Sequence, residues 1–392
     1  MSGPTPGQRP VAGPEQGQPG LTPPGPAGPP DQGTLLEARD VVQQFAVRDR
    51  GRRNGGVLHA VSGVSLTVRP RETLGIVGET GSGKSTLARS LLQAPRPVSG
   101  EVLFQGVDLV KLRGRQLLEA RRHLQMVFQD PFGSLDPKWR VCDIVEEPLI
   151  AYTTGDRATR RRRVADVLEL VGLDPASYGR RRPRELSGGQ CQRAAIARAV
   201  ALSPALIICD EAVSSLDVLI QAQVLNLFER LRAELGLSYL FIAHDLALVK
   251  QVSDRVAVMY LGKLCEVGPA ESIYRSPLHP YTVALLESIP SPDPAARGTR
   301  ARSPIRGEPP SPIHPPSGCR FRTRCPRAQD LCAQEEPPLR PLGTGQSVAC
   351  HFPLTATPGP QPRRAAGGAP PAGAADGARG PTPQARAEGT MR

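Results

Sequence analysis

The sequence predicts an α/β fold: a mostly parallel sheet sandwiched by helices, with an antiparallel β edge from the N-terminal strands, a helical arm and a small C-terminal domain carrying cysteines. Three observations lead there. Short aliphatic runs at 74–77, 206–209, 239–243 and 255–259 have the length and composition of buried strands. Between them stand stretches of helical period, such as Val224, Phe228, Leu231 and Leu235, and that alternation is the pattern of parallel strands joined by crossover helices. Finally, one aliphatic run, 74–77, leads directly into a glycine-rich loop, and a helical pattern resumes after it.

In chain order, residues 1–33 are nearly all Gly, Pro, Gln and Ser, and residues 355–392 are Pro, Ala, Gly and Arg. Neither stretch carries enough apolar surface to offset the entropy lost on ordering, so both are expected to be disordered tails. Residues 35–47 alternate as a strand ending near Phe45, and 58–68 repeat that period after a Gly/Arg-rich turn. Strands are expected at 101–104 and 124–128, flanking a charged helix, and residues 141–184 read as helical, with Val164, Val167, Leu168 and Val171 at helical spacing. The ordered part thus runs from 34 to 354, long enough for a large domain (34–290, arm about 140–190) and a small one (291–354).

The chain has 49 Lys and Arg against 37 Asp and Glu, a net charge of +12. The densest runs, 160–163 and 180–184, have no aromatic residues interleaved, so a base-stacking nucleic-acid platform is not supported. A solvated basic face near a membrane surface or a partner accounts for them better. No apolar run reaches the ~18–20 residues of a bilayer span, and no secretory leader is visible, so the chain is expected to stay in the cytoplasm.

Residues 78–86, GETGSGKST, fit the phosphate-loop pattern between a strand and a helix. Gly78, Gly81 and Gly83, with Glu79, Thr80 and Ser82, would aim successive backbone N–H groups at phosphate oxygens. The helix start at Ser85 and Thr86 adds free donors, Lys84 neutralises β- and γ-phosphates, and the Ser85 hydroxyl suits Mg²⁺. GTPases, kinases and motor ATPases all share such a loop. A second aliphatic strand ends in acid, LIICDE, where Asp210 can hold Mg²⁺ opposite Ser85 and Glu211 can polarise an attacking water.

Between them lies LSGGQ, residues 186–190, followed by a helix from Cys191 to Val200. The phosphate loop, LSGGQ and the acidic strand, in that order, resemble the ABC ATPases over about 34–290. The resemblance implies ATP and Mg²⁺ as ligands. It implies that Ser187, Gly188, Gly189 and Gln190, with Asp217 of the SLD loop at 215–217, face an ATP held by a second such subunit. It also implies that Gln129 senses Mg²⁺ and the attacking water, that His244 contacts the γ-phosphate, and that Phe45 stacks on adenine. Cys191 is a departure, standing where many relatives have a basic or polar residue, and is read as a tolerated substitution. Cys142, Cys209 and Cys265 are read as small core residues.

Three further stretches, QDPFGSLDP, DEAVSSLDVLIQAQVLN and SPLHPYTVALLESIP, resemble the dipeptide/oligopeptide importer ATPases. That branch implies two membrane permeases, a second ATPase subunit, an extracytoplasmic peptide-binding protein acting indirectly, and a peripheral position on the cytoplasmic face of the inner membrane. Four cysteines, Cys319, Cys325, Cys332 and Cys350, suggest metal before disulfides in such a compartment. Their chemistry permits zinc, with His351 as a further ligand, or an iron–sulfur cluster, and the branch implies a 4Fe-4S cluster. The rival functions are an ATPase moving nickel or a drug, and a soluble ABC protein of translation or DNA repair. A single phosphate loop and the absence of a long heptad insertion argue against the latter.

Overall fold

The computed structural model describes residues 33–47, 56–289, 307–342 and 345–354. The two expected tails lie outside them, apart from Gly33, as do the turn at 48–55 and the start of the expected C-terminal domain.

The first strands are β1 (Leu36–Val47), β2 (Gly56–Val68) and β3 (Thr73–Val77), and α1 (Lys84–Leu91) follows the phosphate loop. Then come β4 (Ser99–Phe104), β5 (Val107–Asp108), α2 (Gly114–Arg122), β6 (Leu124–Val127) and a single turn, α3 (Pro131–Ser134). The helical arm holds α4 (Val141–Ala151), α5 (Arg157–Leu170), α6 (Pro175–Tyr178) and α7 (Gly188–Val200). After it stand β7 (Leu206–Asp210), α8 (Val218–Leu235), β8 (Ser238–Ile242), α9 (Leu246–Val252) and β9 (Arg255–Tyr260). The remainder is β10 (Lys263–Pro269), α10 (Ala270–Arg275), α11 (Pro280–Glu287), α12 (Leu331–Gln334), β11 (Arg340–Leu342) and β12 (Gln346–Val348).

Two sheets form. The larger has the order β11-β12-β10-β9-β3-β8-β7-β6, parallel from β9 to β6 and antiparallel from β9 outward. Its central strands β3, β7 and β8 are buried along their whole length, which is why they read as unbroken apolar runs. Alternate residues nevertheless serve different cores. Ile207, Cys209 and Phe241 face the arm and α8, whereas Leu206, Ile208 and Leu240 face α1 and the smaller sheet.

That smaller sheet, β2-β1-β4-β5, corrects one expectation: β1 and β2 are not the antiparallel edge of the parallel sheet. They pair with each other and with β4, and lay Leu36, Ala38, Val61 and Val64 into the second core. The edge is supplied instead by β10, β12 and β11. The cysteine-bearing segment, expected as a small appended domain, is thereby joined to the main sheet through β12 on β10.

The arm is broken where single-residue signals interrupt its helical period. Asp156 caps α5 by accepting from Thr159 N at 2.8 Å, and Asp174 caps α6. Gly172, at φ +77, turns the chain between them. Part of the basic run is structural: Arg160 pairs with Glu146, and Arg163 donates to the carbonyls of Val200 and Ala201 at the end of α7. No described helix is long and apolar enough to cross a membrane.

Candidate functional site

The site forms at the C-terminal ends of the parallel strands. Residues 78–83 leave β3 and enter α1, with Gly78, Gly81 and Gly83 at positive φ, where glycine is free of strain. At Gly83, φ is +102 and a Cβ would stand 2.1 Å from the Ala60 carbonyl oxygen. At Gly81 a Cβ would meet nothing within 4 Å, and Thr80 and Gly81 are exposed. Ser82 Oγ is buried without a protein partner, an orphan that a phosphate oxygen would satisfy.

Lys84 is folded over the loop, its Nζ donating to the carbonyls of Gly78 (2.8 Å) and Glu79 (3.0 Å). Burial holds its pKa below the usual lysine range, while Glu211, Asp210 and Glu79 pull the other way. Ser85 Oγ donates to Asp210 Oδ1 at 2.7 Å. Asp210 is pushed up by burial, opposed chiefly by that hydroxyl and by Arg89. A hydroxyl and a carboxylate in contact are hard oxygen donors, the set that Mg²⁺ prefers. Together with the orphaned Ser82, they fit a nucleotide with its metal.

Glu211 follows the end of β7, at φ +50, a left-handed conformation that costs a non-glycine residue about 1–3 kcal/mol. The strained turn carries its carboxylate to two partners. Gln129 Nε2 donates to Oε2 at 2.9 Å, and His244 Nδ1 lies 3.6 Å from the same oxygen. Oε1 is left without a protein partner among the described residues. The three residues expected to be catalytic therefore meet at one carboxylate, supplied by the ends of β6, β7 and β8.

The LSGGQ residues form a separate surface. The helix begins at Gly188, not at Cys191, because a reciprocal capping box closes its first turn: Ser187 Oγ accepts from Gln190 N (3.3 Å), and Gln190 Oε1 accepts from Ser187 N (3.0 Å). Gly189 is required by packing, since a Cβ there would stand 2.6 Å from Ile220 Cγ2. Asp217 caps α8 by accepting from Ile220 N. No hydrogen bond or ion pair among the described residues joins 187–190 to this chain's own phosphate loop. Phe45 lies opposite Leu58 in the β1–β2 pair and is 37% exposed, on the ribbon whose Ala60 carbonyl abuts Gly83. Cys191 is buried, donates to the Pro183 carbonyl, and has its thiol pushed up to about 11, which keeps it protonated. Cys209 and Cys265 are buried as expected; Cys142 is only half-buried.

Two contacts to the loop carry no sequence signal. Tyr281 Oη accepts from Glu79 N at 2.9 Å, and Arg324 Nη1 donates to both Glu79 carboxylate oxygens, at 2.8 and 3.1 Å. They lie 202 and 245 residues from Glu79 in the chain, beyond the reach of any local pattern.

Cys319, Cys325, Cys332 and Cys350 line one small cavity with His279 and His351. Burial pushes the Cys319 thiol up to about 11 and raises Cys325 and Cys350 as well. The donor set suits a thiolate-held metal. Among the described residues, however, no three of His, Cys, Asp or Glu gather into a metal-holding group.

Residues 61–214 match the family described as "ABC transporter", and residues 265–332 match "Oligopeptide/dipeptide transporter, C-terminal region". The chain is 48% identical over 319 residues to the putative oligopeptide transport ATP-binding protein YkfD of Bacillus subtilis, covering 81% of this chain and 95% of that protein. It is 48% identical over 309 residues to the oligopeptide transport ATP-binding protein OppF of Salmonella typhimurium, covering 78% and 92%. Among solved structures, the post-hydrolysis dimer of the ATP-binding cassette MJ0796 bound to ADP and Pi superposes with a TM-score of 0.54 at 27% identity. That match covers 60% of this chain and 99% of the other.

Proposed function

Because the chain belongs to the oligopeptide transport ATP-binding proteins of the ABC transporter family, we propose that it couples ATP hydrolysis to the import of oligopeptides through membrane permeases. The observation that carries the chemistry is the meeting of Gln129 and His244 on one oxygen of Glu211, beside a phosphate loop whose Ser85 touches Asp210. With one oxygen held by two partners, the other carboxylate oxygen of Glu211 accepts the proton of an attacking water. Gln129 fixes the carboxylate's rotamer, and His244, half-exposed, reaches toward the terminal phosphate. Lys84 and the backbone donors of 78–86 hold the β- and γ-phosphates. Mg²⁺, when bound by Ser85 and Asp210, supplies neutralisation of the charge on those oxygens.

Ser187, Gly188, Gly189, Gln190 and Asp217 are proposed to act on the nucleotide of a second ATPase subunit. Support comes from their placement on a surface apart from the chain's own loop and from the free donors of a helix N-terminus. Nucleotide bound between two such faces becomes dimerisation energy, and dimer closure is what the permeases would feel. Phe45 would stack on the adenine. Residues 34–290 are assigned as the ATP-binding domain, with an arm at about 140–190, and 291–354 as the C-terminal region of oligopeptide-transporter type. The working position is peripheral, on the cytoplasmic face of the inner membrane, with a peptide-binding protein on the other side.

The four cysteines are proposed to hold a 4Fe-4S cluster, supported by their convergence on one cavity. Thiols raised by burial give up their protons only to a strongly positive centre, so cluster loading would set their ionisation. Anaerobically purified protein should be brown and contain iron and acid-labile sulfide, with Cys325→Ala colourless; a colourless wild-type chain without iron would remove the cluster.

The transport reading is tested by tagging the chain, solubilising native membranes gently and identifying what co-purifies. Two multi-span permeases and a second ATPase are expected, with peptide uptake lost in Lys84→Ala. Recovery alone, or with ribosomes or DNA, would leave the ATPase chemistry and overturn the transport role.

A further inference from the structure

Arg324 precedes Cys325 in the cysteine-bearing segment, yet it is only 7% exposed and belongs physically to the phosphate loop. Its Nη1 forks to both carboxylate oxygens of Glu79, and its guanidinium lies over the Tyr260 ring at 5.8 Å. Phe321, three residues earlier, meets Tyr260 edge-on at 5.2 Å and Tyr281 at 5.3 Å, so the segment is seated on the same two rings. The other polar groups of Glu79 are also engaged: its N–H by Tyr281 Oη and its carbonyl by Lys84 Nζ.

Glu79 is a physical oddity, a carboxylate at the second position of a loop built to collect polyanionic phosphate. Its side chain is 24% exposed, so water screens it only in part. Left uncompensated, its charge opposes binding of a triphosphate and competes for Lys84. A guanidinium clamped on both oxygens cancels that charge and fixes the loop's first turn.

We propose that Arg324 is a positioning residue for the phosphate loop: by neutralising and fixing Glu79 it sets the affinity for the triphosphate, so that the C-terminal segment tunes the nucleotide site of its own chain. The proposal rests on the reading of this loop as an ATP site.

The test is a double-mutant cycle on the full-length chain, with ATP affinity measured by equilibrium binding and kcat and KM measured separately. Arg324→Ala should raise the Kd and KM for ATP about tenfold with kcat little changed, the size expected when one partner of a largely desolvated charge pair is removed. Adding Glu79→Gln to that variant should restore the Kd to within about twofold of wild type, because the offending charge is gone. Arg324→Lys, which keeps the cation, should stay near wild type; if the alanine variant does not fold, Arg324→Gln takes its place in the cycle. An unchanged Kd in the neutral variant, or a raised Kd that Glu79→Gln fails to restore, would overturn the proposal. Those results combined with lost binding in Lys84→Ala would sink the role of Arg324 alone. A folded wild-type chain that binds no ATP would sink the nucleotide reading beneath it.

Discussion

At the scale of residues, the site works by holding charged groups where solvent cannot settle them. Glu211 is the clearest case: a strained backbone, two partners on one oxygen and none on the other. Replacing it with glutamine keeps the shape and removes the basicity. Glu211→Gln is expected to lower turnover by about 10²–10⁴-fold while ATP binding persists, measured by phosphate release alongside equilibrium binding. Turnover near wild type would place the base elsewhere. Cys191 is the contrasting case. Its buried, protonated thiol donates to the Pro183 carbonyl, so Cys191→Ser should leave ATPase activity within about twofold, and alkylating reagents should spare it in the folded chain.

At the scale of elements, α7 does two jobs with one residue. Ser187 closes the helix and also presents the LSGGQ surface, and substitution can separate the two. Ser187→Ala should lose about 1 kcal/mol of stability through the broken cap, whereas Ser187→Asn, which also caps, should melt close to wild type. Denaturant unfolding reads the stability, and light scattering with ATP reads dimer formation. If dimer formation falls in both variants, the hydroxyl itself serves the neighbouring subunit. The elements were unequally legible in the sequence. The aliphatic runs of β3, β7, β8 and β9 announced themselves because strands buried on both faces need no polar alternation. The start of α7 was hidden by Gly188 and Gly189, each normally unfavourable in a helix by about 1 kcal/mol, here tolerated beneath a cap and a close packing contact. The strands β10, β11 and β12 were missed because KLCEVGP, RPL and QSV are short and mixed in polarity, and the pairing of β12 on β10 links residues about eighty apart. The proposed catalytic trio was legible through motifs, each standing at the end of a recognisable strand. Arg324 and Tyr281 were not, since nothing local distinguishes an arginine in an arginine-rich segment or a tyrosine in a helix.

At the scale of the whole molecule, the cysteine-bearing segment is built through β12 into the sheet that holds the phosphate loop. Glu266 on β10 is fully buried and accepts from the backbone N–H groups of Leu278 and His279 and from Gln346 of β12. Burial raises its pKa, and these donors oppose the rise. His279 in turn caps α11, its Nδ1 accepting from Tyr281 N, and burial pushes its pKa from 6.5 down to about 4. Between those values the unfolded chain binds a proton that the folded chain refuses. Stability should therefore rise with pH through that window and fall on acidification, by up to roughly 3 kcal/mol in full across it. His279→Asn, which keeps a capping side chain without the titration, should flatten that part of the pH profile in urea melts. An unaltered slope would assign the effect to other groups. The separation of Glu79 from Arg324, 245 residues, has a consequence for biosynthesis. A ribosome delivers the nucleotide loop 245 residues before its brace. The nascent chain thus carries an unbraced loop while those residues are made, and a product cut short before residue 324 would be released with that loop never secured.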